Sequence, residues 1–460
     1  MSATDAGFYF AESENTPMHV GSVAVFEGPA PSYGDVVRLL LAKLPRVPRY
    51  RQRVRPVPLH LGRPLWVDDE HFQVLYHVRH TAVPRPGGAE QLRNLAGRVL
   101  GQRLDMAKPL WEVWLVEGLE DDRWALISKV HHCMVDGVAG TDLMEMIFDA
   151  DPAAPHPAPV DWTPERGPST VGVLAGSLQD TVVHPVRQLA ALPGASRLLQ
   201  LPGTALRTAG ALGQTLPGLA RQLRTPVART LSGAVGPHRR WSWAETDLDA
   251  VKAVRARYGG TVNDVVLAAI TGGFRDLLAG RGELAEGVTV RSMVPVSVRR
   301  QAERGTLDNQ VSAVFVELPV AEPDPVVRLA ALRIQMDAHK RTLGALDARS
   351  IIALGNFVAP TLLALGTRAG MRAGQPLVQT VTTNVPGPRV PLYVAGRRMV
   401  ALYPYVPIAA GLRVSIGIFS YLRAMTFGIN ADFDAFPDIE VLAGGIGRGM
   451  RELADVPAPA

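Results

Sequence analysis

Two strand-like runs, and the residues that end the second, restrict this chain more than any other feature. Trp111-Glu-Val-Trp-Leu-Val116 and Trp124-Ala-Leu-Ile-Ser-Lys-Val130, extended by His131-His132, are rich in apolar and aromatic residues. The acidic stretch Glu120-Asp121-Asp122 joins them as a turn. The second run reads as a strand entering the core. It leads into His131-His132-Cys133-Met134-Val135-Asp136-Gly137: imidazoles at a strand end, a carboxylate four residues after His132, and a glycine to turn the chain. An imidazole takes a proton near neutral pH, and a nearby carboxylate or its ion-pair partner can fix its position. These are residue types suited to acid–base chemistry.

Around these strands, residues 1–150 read as an α/β unit. His19-Val-Gly-Ser-Val-Ala-Val-Phe26 alternates at period two and stops at Glu27-Gly28, the pattern of a strand. Residues 35–44 carry apolar side chains at helical spacing, and 72–83 are strand-like. Residues 90–104 form an amphipathic pattern with Leu92, Leu95, Val99 and Leu100 on one side. A helix over 141–148 closes the unit. Residues 241–460 read as a second α/β unit. Helices are expected over 247–258 and 261–279, strands over 288–296, 311–320 and 378–385, a hairpin from 412–422 and 425–429, and a last helix from near Pro437. A length of 460 residues suits two domains of about 200 residues better than one core.

The stretch between them, 151–240, differs. Residues 151–168 are proline-rich and read as a linker or a wrapped arm. No acidic residue lies between Asp180 and Glu245, where there are eight arginines, and Leu-Pro-Gly recurs at 192–194, 201–203 and 216–218. Each such step can end one short helix and start the next. Leucine with arginine and no acid suits helices on an anionic membrane surface. It equally suits a helical connector packed on the protein with its arginines in water. Residues 350–367 are apolar but are interrupted by Gly355, Asn356, Pro360 and Gly366. A span needs roughly 20 largely apolar residues, so a buried or surface-lying helix is expected there instead. The start of the chain lacks the basic and apolar runs of a secretion signal. A net charge of +5 is mild for this length, and no nucleic-acid partner is expected. The single cysteine, Cys133, excludes an intrachain disulfide and a cysteine-built zinc cluster.

Side chains alternate across a strand, so His131 and His132 cannot both aim at one reacting group. The residues alone do not choose between them. A general base acting on an alcohol or amine is one reading. A metal site built from a histidine and Asp136 is another, although further ligands at recognisable spacing are lacking. A third is a Cys133 nucleophile, which by period two shares a face with His131 rather than His132. The purely structural alternative is a histidine pair satisfied by hydrogen bonds.

The motif His-His-x-x-x-Asp-Gly resembles that of the acyltransferases related to chloramphenicol acetyltransferase, a group that includes peptide-synthetase condensation domains. Over nearly its whole length the chain resembles one branch, the bacterial wax ester synthase/diacylglycerol acyltransferases. The resemblance runs through Asp5-Ala-Gly-Phe, Pro17-Met-His-Val-Gly21, Leu104-Asp105 and Pro109-Leu110-Trp111. It continues through Gly236-Pro-His-Arg-Arg240, Thr261-Val-Asn263-Asp264, Val294-Pro-Val-Ser-Val-Arg299, Asn309-Gln-Val-Ser and Thr383-Asn384-Val-Pro-Gly-Pro388.

The resemblance implies an α/β fold of two chloramphenicol-acetyltransferase-like domains, mixed sheets flanked by helices, with a helical linker and a tunnel at the interface. Acyl-CoA, a substrate rather than a cofactor, would enter from one side. Diacylglycerol or a long-chain alcohol would enter from the other. His132 falls on the family's base, Asp136 on the residue that holds the site's shape, and Gly137 on its close turn; His131 supports. Asn263, and Thr383-Asn384 in another family segment, are candidates to stabilise the oxyanion. For Asn263 the structural alternative is a helix cap, with Thr261 competing. By residue type alone, Arg239 and Arg240 are candidates to meet CoA phosphates and Arg291 to pair with Asp136; exposed arginines without a role are the alternative. No metal or cofactor is expected. The implied location is cytoplasmic, peripheral to a membrane or lipid droplet. Rival readings are a polyketide hydroxyl or carrier-bound acceptor on the same fold, and a non-catalytic lipid-binding protein. Cys133 stands where the family usually has alanine or serine, so a thiol reagent is expected to block the enzyme.

Overall fold

The run that ends in the histidines lies at the heart of one of two mixed sheets. In a computed structural model of the chain, residues 1–58, 62–135, 144, 146–155, 158, 161–169, 172–173, 228–297, 311–345 and 378–455 are described. The first half runs α1 (Ala3–Ala11), β1 (His19–Phe26), α2 (Tyr33–Lys43), β2 (Gln52–Arg55), β3 (Leu65–Asp68), α3 (Val74–His77), β4 (Val78–Ala82), α4 (Ala89–Gly101), β5 (Trp111–Leu119) and β6 (Arg123–His131). The second half runs β7 (Arg239–Asp247), α5 (Leu248–Tyr258), α6 (Val262–Gly280), β8 (Val290–Ser297), β9 (Val311–Leu318), α7 (Pro325–Ala345), β10 (Thr380–Pro386), β11 (Tyr393–Val394), β12 (Arg397–Tyr405), β13 (Val414–Tyr421), β14 (Ala424–Asp432) and α8 (Ile439–Asp455).

Most expected elements are present within a few residues, and β1 and the β13–β14 hairpin form as read. The strand expected over 72–83 divides into α3 and β4. Gln73 accepts the Leu75 N–H and caps a short helical turn before the strand begins. The helix expected over 141–148, the arginine-rich stretch up to residue 227 and the apolar segment 350–367 lie wholly or mostly outside the described residues. In the proline-rich stretch, described residues touch the first half. Trp162 meets Phe72 edge-on, and the Glu165 N–H donates to Asp68 at 3.0 Å.

β6 is buried from Trp124 to His131. Trp124, Leu126 and Val130 enter one core with Leu39, Leu40 and Trp111; Ala125 and Ile127 enter another beneath Leu92, Ala96 and Val99 of α4. A strand covered on both faces explains the near-continuous apolar run. Lys129 interrupts that run on the α4 side. It is fully buried, pairs with Glu112 of β5 at 3.2 Å, and donates to the Val99 and Gln102 carbonyls.

The first sheet has the order β11-β12-β1-β6-β5-β4, and the second β7-β14-β13-β10-β8-β9. Residues 393–405 therefore complete the first sheet although they belong to the second half of the chain. The division at 241–460 is crossed by this loan of two strands. β12 runs antiparallel to β1, with Gly21 opposite Tyr405 and Val25 opposite Ala401. The passage is made possible by a glycine pair. Gly417 and Gly428 face each other on β13 and β14. A Cβ on Gly428 would collide with the Pro404 carbonyl, and one on Gly417 would stand 2.7 Å from Val406 Cγ2.

Candidate active site

β6 ends at His131, opposite His19 of β1, and His132–Met134 forms one 3-10 turn. Strand alternation therefore stops one residue earlier than expected. The cause is local: His131 Nδ1 accepts the Cys133 N–H at 3.1 Å and closes the turn. That hydrogen bond puts the ring proton on Nε2, which donates to Glu12 Oε2 at 2.9 Å. His131 is fully buried with both nitrogens engaged.

His132 is held differently. Its N–H donates to the Met18 carbonyl at 2.7 Å. Its ring is only partly buried and stacks on Phe8 of α1, with centroids 3.7 Å apart and planes 17° from parallel. Its Nδ1 is buried and meets no polar atom of another described residue. Burial, reinforced by the neighbouring His131 and partly offset by a backbone hydrogen bond, lowers its pKa to about 4. The ring is neutral at pH 7. Of the two histidines, His132 keeps a nitrogen available for chemistry.

Glu12 escapes a reading of the sequence, and Phe8 enters it only as part of the Asp5-Ala-Gly-Phe segment, with no role. α1 is short, and nothing in Ala11-Glu12-Ser13 announces that Glu12 meets a histidine 119 residues away. Burial raises the Glu12 carboxyl pKa. The hydrogen bonds from His131, the Met18 N–H and Arg103 outweigh burial and hold it at about 2. Behind them, His19 donates through Nε2 to the Leu100 carbonyl at 2.6 Å, and burial, with Lys129 close by, lowers its pKa to about 3.

The other expected site residues fall in several places. Asp136 and Gly137 lie outside the described residues, so the expected pairing of Arg291 with Asp136 does too; Arg291 lies 3.4 Å from Glu317. Thr261 caps α6 in a reciprocal pair with Asp264. The cap is therefore not Asn263, whose half-buried side chain makes no hydrogen bond to a described residue. Thr383 and Asn384 are half-buried on β10, opposite Gly417 and Ile418 of β13.

Arg239 is a correction. It is buried and donates to the carbonyls of Gly236, His238 and Asn15, so its guanidinium ties the two halves together instead of facing a phosphate. Arg240 is less buried; its Nε donates to the Phe433 carbonyl, and it lies 3.9 Å over that ring. Cys133 is a second correction. It is 1% exposed within the core, and burial pushes its thiol pKa well up, both of which disfavour the expected reaction with a thiol reagent. Among the described residues no hydrogen bond or ion pair joins the histidine turn to Asn263, Thr383, Asn384, Arg239 or Arg240, and no three potential ligands cluster to hold a metal.

The comparisons with known proteins agree with this arrangement of sheets. Residues 1–266 match the wax ester synthase/diacylglycerol acyltransferase catalytic domain, and residues 307–454 match the C-terminal domain of the same family. A probable diacylglycerol O-acyltransferase of Mycobacterium tuberculosis, tgs1, is 35% identical over 458 residues, 99% of this chain and 96% of the relative. Among solved structures, the wax ester synthase/diacylglycerol acyltransferase of Marinobacter aquaeolei is 25% identical with a TM-score of 0.68, covering 98% of both chains. The starter condensation domain of rhizomide synthetase shares the fold at 14% identity, with a TM-score of 0.55 over 99% of this chain and 93% of that one. The chain belongs to the wax ester synthase/diacylglycerol acyltransferase family.

Proposed function

We propose that this enzyme transfers a long-chain acyl group from acyl-CoA directly to the hydroxyl of diacylglycerol or a long-chain alcohol, with His132 as general base. That the chain is an acyltransferase of this type follows from its family; the proposal concerns how it works. The observation that carries it is the contrast between adjacent histidines, one fully engaged and the other neutral, partly accessible and braced by a ring.

In the proposed step the acceptor oxygen attacks the thioester carbonyl carbon while His132 takes the hydroxyl proton. The tetrahedral oxyanion then collapses, the carbon–sulfur bond breaks, and the proton passes from His132 to the departing CoA sulfur. No acyl-enzyme is needed, because the thioester is already activated and holding both substrates together supplies much of the rate. Asn263 is proposed as an oxyanion donor, since Thr261 relieves it of capping. Thr383 and Asn384, in another family segment, are proposed to support the site. Asp136 and Gly137 are proposed to hold the shape of the loop after the turn, and Arg240 to meet CoA phosphates. No cofactor takes part in this scheme.

The names of the mycobacterial relatives favour diacylglycerol as acceptor. Peripheral binding at a membrane or lipid droplet is part of the same proposal. Its support is the arginine-rich, acid-free composition before residue 240. Among the described residues no helix is long and apolar enough to cross a membrane.

The test incubates purified enzyme with long-chain acyl-CoA and diacylglycerol, hexadecanol or no acceptor. Ester formation with a lipid acceptor is expected; release of CoA without ester in every arm contradicts the proposal. Because the base must be unprotonated and its pKa is lowered, kcat/KM should stay flat from pH 8 to about 6 and fall only as pH approaches 4. An acid limb centred near 6.5 would point to a different base.

A further inference from the structure

We infer that Glu12, the residue that follows α1, is a positioning residue that sets the histidine turn through His131; this rests on the reading of His132 as the base. Its Oε2 accepts two hydrogen bonds, from His131 Nε2 at 2.9 Å and from the Met18 N–H at 3.0 Å. The Met18 carbonyl accepts the His132 N–H at 2.7 Å. The far side of the His131 ring accepts the Cys133 N–H at 3.1 Å. One carboxylate oxygen thus closes a ring of bonds through Met18, His132, Cys133 and His131. Both backbone N–H groups at the start of the turn end on groups that Glu12 holds.

The carboxylate is itself anchored. Arg103 Nε binds Oε1 at 3.1 Å, and the Glu12 side chain is only 3% exposed. The same element braces the other histidine. Phe8 lies on α1, four residues before Glu12 at its C-terminal end, and stacks on the His132 ring. The N-terminal segment therefore grips His131 through its carboxylate and His132 through its ring. Such placement matters because a general base works only within about 2.6–3.2 Å of its proton, and a displacement of about 1 Å can lower the rate about 100-fold.

Glutamine is the informative replacement. Every group around Glu12 is a donor, so an amide must turn its NH2 toward Arg103 or toward His131 and Met18, and one set of bonds is lost. The experiment measures kcat and the acyl-CoA KM for Glu12→Gln, His131→Gln and the double variant, using long-chain acyl-CoA and diacylglycerol. Glu12→Gln should lower kcat about two- to fivefold where only the Arg103 bond is lost, and at least about tenfold where the His131 and Met18 bonds are, with KM within about twofold in either case. The double variant should be no slower than His131→Gln alone, because both changes act through the same ring. Wild-type kcat in Glu12→Gln, or losses that multiply in the double variant, would overturn the inference.

His132→Ala in the same assay separates the two readings. If it keeps wild-type kcat, the base assignment fails whatever Glu12 does. If it loses activity while Glu12→Gln does not, only the present inference fails. Should Glu12→Gln not fold, Arg103→Gln takes its place, since Arg103 is 40% exposed and its loss releases only Oε1. A kcat about two- to fivefold below wild type at unchanged KM is then expected; wild-type kcat overturns the inference.

Discussion

Gly428 and Pro404 approach so closely that no side chain fits between them: a Cβ on Gly428 would collide with the Pro404 carbonyl oxygen. This contact lets β12 leave the second half of the chain and pair with β1, the immediate neighbour of the strand that ends in the histidines. The obstacle is backbone on both sides, so it cannot be relieved by a rotamer change. Gly428→Ala should therefore destabilise the fold by at least about 1–3 kcal/mol, the usual range for overpacking. Urea unfolding checks this, and an unchanged midpoint would show that β12 does not need the glycine.

A second prediction concerns the buried pair of Lys129 and Glu112, 3.2 Å apart and both nearly solvent-free. Removing one member leaves an unpaired buried charge, which typically costs about 3–5 kcal/mol. Lys129→Met should cost less than Glu112→Ala. It leaves Glu112 with Arg79 at 3.8 Å and the Trp114 Nε1–H, whereas Glu112→Ala strands the Lys129 cation in the core and also deprives Trp114 Nε1 of its acceptor. Chemical denaturation of both variants gives the comparison, and equal losses would argue against a stranded charge.

The buried histidines make stability depend on pH. Burial lowers the pKa of His19 to about 3 and of His77 to about 4. In the unfolded chain each takes a proton near pH 6.5, so the unfolded state binds more protons between there and the folded values. Stability is then full above pH 6.5 and is lost as pH falls toward 4, by up to about 1.4 kcal/mol per pH unit for each ring. Glu12, held at about 2, adds a loss in the same direction only below pH 4.5. His77→Gln should flatten the slope between pH 6.5 and 4 in denaturant titrations; an unaltered slope would place the effect elsewhere.

What the sequence made legible was local. The runs at β1, β5 and β6 could be placed because alternation and apolar continuity are properties of a few neighbouring residues. α6 and α8 could be placed for the same reason. The borrowed strand β12 could not, because nothing in 397–405 records that its partner lies at 19–26. The turn at His132 was misplaced by one residue, since its closing bond comes from a side chain, His131, acting on its own backbone neighbour. Arg239 was read by residue type as an anion binder, but burial against three carbonyls decides its role. The likeness of the His-His-x-x-x-Asp-Gly motif and its companions to one family carried the choice of His132. The geometry adds why: His131 is occupied by Glu12 and Cys133, and Glu12 was invisible until the chain was folded.

The central claim is tested most directly by ester formation from long-chain acyl-CoA and diacylglycerol in His132→Ala, with folding verified by its melting curve. Loss of a general base should lower kcat about 10²- to 10⁴-fold while the melting temperature stays close to wild type, since the ring is only partly buried and its Nδ1 bonds no other described residue. A folded His132→Ala enzyme that makes ester at the wild-type rate would contradict the account.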